Sequence, residues 1–462
     1  MERTTAKKNK YEIDMCNGTI MDKLISFSLP LMLSGILQLM FNAVDIIVVG
    51  RFSGSQALAA VGSTSALINV FTNLFIGISL GANVLTARFY AAGREKEVSE
   101  TVHTAITLAL VSGIVMALVG LVFSKGALAL MGTPDDVIGL SALYMRIYFL
   151  GMPFFMLYNY GAAILRAVGD TKRPLLFLMI AGVINACLNM VLVIVFKLGV
   201  AGVAIATVIS QMISCVLVLR CLCRSESSYR LRFSGLGMKG YYLKQIFSVG
   251  VPAGIQSTVI NFSNVLLQSS VNSFGSTAMA GYTAANNLLG FLYVSVNSIT
   301  QACMSFTSQN YGVGKLKRMD RVLADCMILS VVVAVVLGCI CYGFGPEILQ
   351  IYTEDAEVIA CGMEILAYTT ITYFLCGWMD LFPGALRGMG YSAVPMVLSV
   401  IGTVGTRVVW IFGIFPYHRS LAILFISYPA SWIITIILQV VCFYFVRRRV
   451  HRRSQALAGQ EA

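Results

Sequence analysis

Charge is scarce in this chain. Only 12% of its 462 residues are Asp, Glu, Lys or Arg, while 58% are hydrophobic, and the mean hydropathy is +0.81. A soluble globule cannot clothe such a composition in a polar skin, so the expected solvent is the lipid bilayer. Histidine is scarcer still: His103, His418 and His451 are the whole complement and lie far apart. Without clustered ligands, a nucleophile with its base, or a GxxxxGK[ST] loop for ATP, neither a membrane enzyme nor an ATP-driven pump is expected, and no cofactor is called for. The twelve cysteines form no CxxC pair and sit mostly in apolar runs (Cys187, Cys215, Cys303, Cys339, Cys341, Cys376, Cys442), where Cys acts as a small hydrophobe. A cleavable leader is not expected either, since the basic start leads into the polar stretch YEIDMCNGT and then a full-length span. Acidic residues are outnumbered, giving a formal charge of +12. The basic residues fall in short clusters between apolar runs, which suits an anionic leaflet rather than a nucleic acid.

What is abundant is long apolar runs. Twelve spans are read at 25–50, 57–82, 99–124, 138–166, 172–196, 200–223, 244–272, 278–304, 320–344, 358–387, 392–415 and 421–446. With cations in the end turns of a span counted to the adjoining joint, alternate joints place 27 Lys and Arg on the side of the termini and 4 on the other, leaving 2, Arg146 and Arg407, deeper inside spans. That bias puts both termini in the cytoplasm of a multi-pass protein of the cell membrane. Asp135, Asp136, Glu347, Glu354, Asp355 and Glu357 fall on the outer side.

Sliding the chain against itself by 221 residues exposes a repeat. Leu165-Arg166-Ala-Val-Gly169 lies on Leu386-Arg387-Gly-Met-Gly390, Tyr90, Gly93 and Lys96 lie on Tyr311, Gly314 and Lys317, and Pro30 meets Pro252 one residue later. Six crossings per repeat start both halves on the same side, so the repeats are parallel. The expected fold is all-α: twelve transmembrane helices in two six-helix lobes at 21–223 and 244–446, with a cytoplasmic N-terminal segment 1–20, a connector 224–243 and a tail 447–462. Such transporters rock one lobe against the other around a site near mid-membrane.

One span carries a carboxylate. In SLPLMLSGILQLMFNAVDIIVVG, Gln38, Asn42 and Asp45 recur at spacings of four and three, forming a single polar stripe on a helix. An acid at mid-bilayer costs roughly 2.5 to 3.5 kcal/mol on insertion scales and marks an ion or proton path more often than a mere helix stitch. The stripe must therefore face protein or water. Burial disfavours the charged form of a carboxyl, which brings protonation within reach of an inward proton gradient.

The phrases VDIIVVGRFSGSQALAAVG, FYAAGREKEV with NYGVGKLKRM, DDVIGLSALYMRIYFLGMPF, LRAVGDTKRP with LRGMGYSAVP, and INACLNMVLVIVFKLGVAGVAIATVISQ together resemble the multidrug and toxic compound extrusion (MATE) family over residues 20–446. The resemblance implies an antiporter that expels organic, often cationic, compounds in exchange for H+ or Na+ by alternating access. It implies that Asp45 is the first-helix acid of the ion site, with an amide at Asn185 and a hydroxyl at Thr207. Where many relatives carry a second Asp, this chain has Asn189. One acid among neutral oxygens can still hold a proton or Na+, and no other metal is implied.

Polar or aromatic residues expected to line the substrate cavity are Gln38, Asn42, Asn69, Asn159, Gln256, Asn261, Asn286, Asn287 and Tyr373. Glu364 and Arg407 sit at similar depth and are a possible charge pair. Arg146 could answer Asp45 or Asp135, and Asp380, whose repeat mate is Asn159, reads as an interfacial acid. The expected partners are the bilayer and small organic substrates, with no nucleic acid and no obligatory protein partner, so the protein is read as a monomer. A flippase for lipid-linked sugars is the alternative; it would want several cations in the cavity, and only Arg146 and Arg407 lie inside spans.

Overall fold

The computed structural model describes residues 10–458, and among these every regular element is a helix. The first six crossings are α1 (Met21–Phe52), α2 (Ser55–Ala91), α3 (Glu95–Leu130), the pair α4 and α5 (Asp135–Leu150, Met152–Ala167) bent by 48°, α6 (Lys172–Asn189) and α7 (Gly199–Cys223). The next six are α8 (Gly240–Asn272), α9 (Ser276–Gly312), α10 (Leu316–Gly343) with the short α11 (Gly345–Gln350), and the pair α12 and α13 (Ala356–Thr369, Tyr373–Gly388) bent by 51°. They close with the eleventh crossing, α14 and α15 (Ala393–Ser399, Thr406–Val409), and the twelfth, α16 (Leu421–Ala458). Eight single helices and the two bent pairs are long and apolar enough to span a bilayer. Helices α8 and α9, at 33 and 37 residues, are also long enough, but amides and hydroxyls interrupt their apolar faces.

Most helices overrun the apolar stretches expected of them. Helix α2 continues to Ala91 and α3 starts at Glu95, because polar flanks prolong the helix beyond the hydrocarbon. The repeat is visible in the backbone: Gly54, Gly93 and Gly169 take φ of 86°, 69° and 97°, and Gly275, Gly314 and Gly390, each 221 residues on, take 101°, 72° and 90°. These turns need left-handed backbone, which a side chain disfavours. Both halves also relax into π-wound turns in the fifth crossing of each repeat, at Met190–Val195 and at Val400–Gly405 and Trp410–Ile414.

Two compact units are formed, one from Leu33–Gly254 with the described residues up to Asp14, the other from Met15–Met32 with the chain from Ile255 onward. Helices α1 and α8 thus divide two residues after Pro30 and Pro252. The physical reason is packing of small residues. In the first unit Gly77 and Gly81 of α2 lie backbone to backbone against Gly254, Gly250 and Ile246 of α8, where no Cβ would fit. In the second unit Phe27 of α1 packs edge-on against Phe306 of α9 at 5.6 Å.

The segment ahead of α1 is held down at both ends. Within the first unit the Tyr90 and Tyr229 hydroxyls donate to Glu12 at 2.8 and 2.7 Å. Within the second, Arg318 donates to the carbonyls of Met15, Asn17 and Gly18. Large apolar side chains are bare on the outside, Val122 at 69%, Phe412 at 70% and Val195 at 69% exposed, as a lipid-facing surface requires.

Candidate functional site

Helix α1 runs unbroken past Pro30 to Phe52, which leaves Asp45 about 8 Å inside Gly50 at 1.5 Å per residue. Asn185 and Asn189 are one turn apart on α6, so their amides share a face, and both are buried at 5% and 0% exposure. The tight turn at Lys197 and Gly199, both at φ 54°, returns the chain into α7 and carries Thr207 to the same place. The four residues assigned by resemblance are thus brought together in the first unit. Asn189 Nδ2 donates to Asp45 Oδ1 and, at 3.3 Å, to Asn185 Oδ1. Thr207 Oγ1 shares its one proton between the Val203 carbonyl at 3.0 Å and Asp45 Oδ2 at 3.5 Å.

The chemistry of this box is all oxygen. Asn189 Oδ1 is buried and accepts no hydrogen bond, so it joins the Asp45 carboxylate and Asn185 Oδ1 as an acceptor with capacity to spare. Such a donor set suits a proton or a hard cation and has nothing for a soft metal; among the described residues no three His, Cys, Asp or Glu gather as a metal cluster. Two tyrosines that the sequence reading missed, Tyr144 and Tyr148, stack on one another at 6.1 Å within electrostatic reach of Asp45. Their spacing of four residues on α4 was the available signal.

The expected cavity residues are less uniform. Gln38, Asn42, Asn69, Asn261 and Asn287 are exposed, and Asn286 is half-buried. The Asn159 amide is spent on the Phe155 carbonyl of its own helix at 2.8 Å. Gln256 is buried and accepts from Arg387 Nη2 at 2.6 Å. Tyr373 is buried too, donating to the Leu289 carbonyl at 3.3 Å with its ring edge-on to Trp432 at 5.6 Å.

The pairing of Glu364 with Arg407 is corrected. Arg407, 3% exposed, turns to α8 and α16 instead: Nη1 donates to Ser263 Oγ at 2.9 Å and Asn264 Oδ1 at 2.7 Å, and the guanidinium lies 4.7 Å over the Tyr428 ring. Arg407 sits between the two π-wound turns of the eleventh crossing, and each rotates the helix face away from a straight α count. Arg146 is exposed, and neither Asp45 nor Asp135 forms an ion pair with it among the described residues.

Comparison with known proteins fits this geometry. The MatE family matches the chain twice, over residues 30–191 and 252–412, the same displacement as the internal repeat. The chain is 32% identical to the probable multidrug resistance protein YoeA of Bacillus subtilis, covering 92% of this chain and 93% of that one. It is 22% identical to the multidrug export protein MepA of Staphylococcus aureus, over 82% and 84% of the two chains. Among solved structures, MATE in complex with MaL6 superposes with a TM-score of 0.87 at 19% identity, covering 96% of this chain and 98% of that one. An outward-facing multidrug resistance MATE transporter of the MOP superfamily gives 0.87 at 19%, over 97% and 100%. These relatives are transporters and not enzymes. With two matched halves, a twelve-helix fold and a relative above 30% identity along nearly its whole length, this multi-pass membrane protein belongs to the MatE (multidrug and toxic compound extrusion) family.

Proposed function

We propose that this chain is a secondary antiporter of the cell membrane that exports organic compounds, often cationic and lipophilic, in exchange for inward H+ or Na+. The observation that carries the reading is the Asp45 box, a membrane-embedded carboxylate ringed by Asn189, Asn185 and Thr207 to which, among the described residues, no basic side chain is hydrogen-bonded. A charged Asp45 accepts from both the Asn189 amide and the Thr207 hydroxyl. Binding a proton or Na+ there changes that hydrogen bonding and neutralises a charge that is expensive in a bilayer. Loading thereby biases α1, which is divided after Pro30, toward a bend that closes the lobe and expels substrate. Each charge moved down the membrane potential supplies about 2.3 kcal/mol per 100 mV.

In this reading both termini lie in the cytoplasm, as the distribution of Lys and Arg favours. The protein works as a monomer in the bilayer, with small organic molecules as its only cargo. The scarcity of cations inside the spans and the multidrug relatives disfavour a flippase for lipid-linked sugars. The test is dye efflux from vesicles under separately imposed H+ and Na+ gradients. Efflux that follows one gradient in the wild type and neither in Asp45→Asn supports the reading. Gradient-driven efflux by a folded Asp45→Asn overturns it.

A further inference from the structure

Arg407 is a buried cation without an anion. Of its five N–H donors only those of Nη1 are used, on Ser263 Oγ and Asn264 Oδ1, while Nε is buried with no partner. No carboxylate among the described residues forms an ion pair with it. A guanidinium stays protonated even in apolar surroundings, and an unpaired one inside a membrane protein is costly enough to mark function. The groups that face it, Ser263, Asn264, Tyr282, Tyr373, Cys376 and Tyr428, are neutral, and the nearest acid, Asp380, acts on Tyr373 and Cys376. Tyr428 offers its ring face at 4.7 Å and spends its hydroxyl on Tyr282 at 2.9 Å.

The place of this cluster in the fold is informative. Tyr428 is the mate of Thr207 at a displacement of 221, Asn264 is the mate of Asn42 at the 222 of the proline pair, and Arg407 falls within one residue of the mate of Asn185. The seventh, eleventh and twelfth crossings of the second unit thus repeat what the first, fifth and sixth build in the first unit, with the charge inverted. Where the first box surrounds a carboxylate with donors, the second surrounds a guanidinium with acceptors and keeps donors to spare. The mate of Asp45 is the buried Leu267, so the acid of the first box has no counterpart at that position.

We infer that Arg407 is a recognition point for an anionic group, a carboxylate, sulfonate or phosphate, on an apolar molecule. The planar fork of Nε and Nη2 matches two oxygens of such a group, and the aromatic wall of Tyr428, Trp432 and Tyr373 suits the apolar remainder. The inference goes beyond the export reading: it gives the cargo of this transporter an acidic group, as in a zwitterionic or anionic amphiphile.

The protein carries its own reporter, because its three tryptophans, Trp378, Trp410 and Trp432, all lie in the second unit and Trp432 stands 5.8 Å from the Tyr428 ring. Tryptophan emission of the purified full-length protein is titrated with hexanesulfonate and, as the matched cation, hexyltrimethylammonium. A saturable response to hexanesulfonate alone is expected, weakened at least tenfold in Arg407→Gln. Should Arg407→Gln fail to fold, Asn264→Asp serves as the second variant, since it keeps the shape of the cluster and places an internal carboxylate on the guanidinium; it also weakens binding at least tenfold. No saturable response in the wild type, or equal affinity in either folded variant, overturns the inference. Repeating the titration in nanodiscs of phosphatidylcholine and of phosphatidylglycerol separates the sources of the anionic group. Weaker hexanesulfonate binding in phosphatidylglycerol assigns the site to a lipid headgroup, and equal binding assigns it to a dissolved solute. Anion binding that persists where gradient-driven efflux fails sinks only the antiport reading, and efflux without anion binding sinks only this one.

Discussion

The Asp45 box and the Arg407 cluster are built by corresponding crossings of the two repeats, yet one buries an acid and the other a base. Duplication has kept the scaffold, glycine turns and π-wound segments included, while the charged residue at its centre diverged. Under the proposed function and the anion-recognition inference, the contrast teaches that the lobes divide the labour. An acid among donors takes up a proton or a small cation, whereas a base among acceptors cannot, and whatever it attracts must bring negative charge. Symmetry of fold is therefore no guide to symmetry of function here.

The largest expected effect breaks the comparison on its acidic side. Asp45→Asn keeps the shape and removes the titratable group, so gradient-driven efflux should fall to the level of empty vesicles while the protein still inserts and elutes as a single species. Next is the amide that orients the acid. Asn189→Leu leaves Asp45 without its main donor, and apparent affinity for the coupling ion should drop on the order of ten- to a hundredfold, as for other groups that orient an ion ligand. On the basic side, Arg407→Gln should lower the ratio of anionic to cationic dye efflux by about tenfold, the scale of one charge-assisted hydrogen bond. Smaller still is Thr207→Val. Its hydroxyl makes one long bond to Asp45 at 3.5 Å, so the ion affinity should weaken by about threefold, the low end for a single hydrogen bond. The smallest change is Tyr428→Phe, which deletes the hydroxyl bond to Tyr282 and keeps the ring under Arg407. Thermal unfolding in detergent should shift by only a few degrees, for a loss of about 1 kcal/mol.

Much of this was legible in the sequence, for reasons that differ by residue. Asp45 stood out because an acid in an apolar run of that length has few uses, and its box followed from the family resemblance, residue by residue. The twelve crossings were legible because the bilayer demands about 20 apolar residues each time. Arg407 was visible as a charge but was given the wrong partner. Depth along a helix can be counted from the sequence, whereas the face it turns to depends on the π-wound turns on either side, and those have no clear sequence signature. Tyr144 and Tyr148 were passed over because aromatics are common in every span and only packing tells which ones face the acid. The early division of α1 and α8 was likewise hidden, because Gly77, Gly81, Gly250 and Gly254 announce close packing without naming the partner helix.

The central claim, that Asp45 is where ion and substrate exchange, is tested most directly by substrate-linked ion release. An exported organic compound is added to purified protein in weakly buffered solution, and H+ and Na+ released are counted per molecule bound. The account expects about one ion per substrate from the wild type and none from Asp45→Asn. Equal release from the two proteins would contradict it.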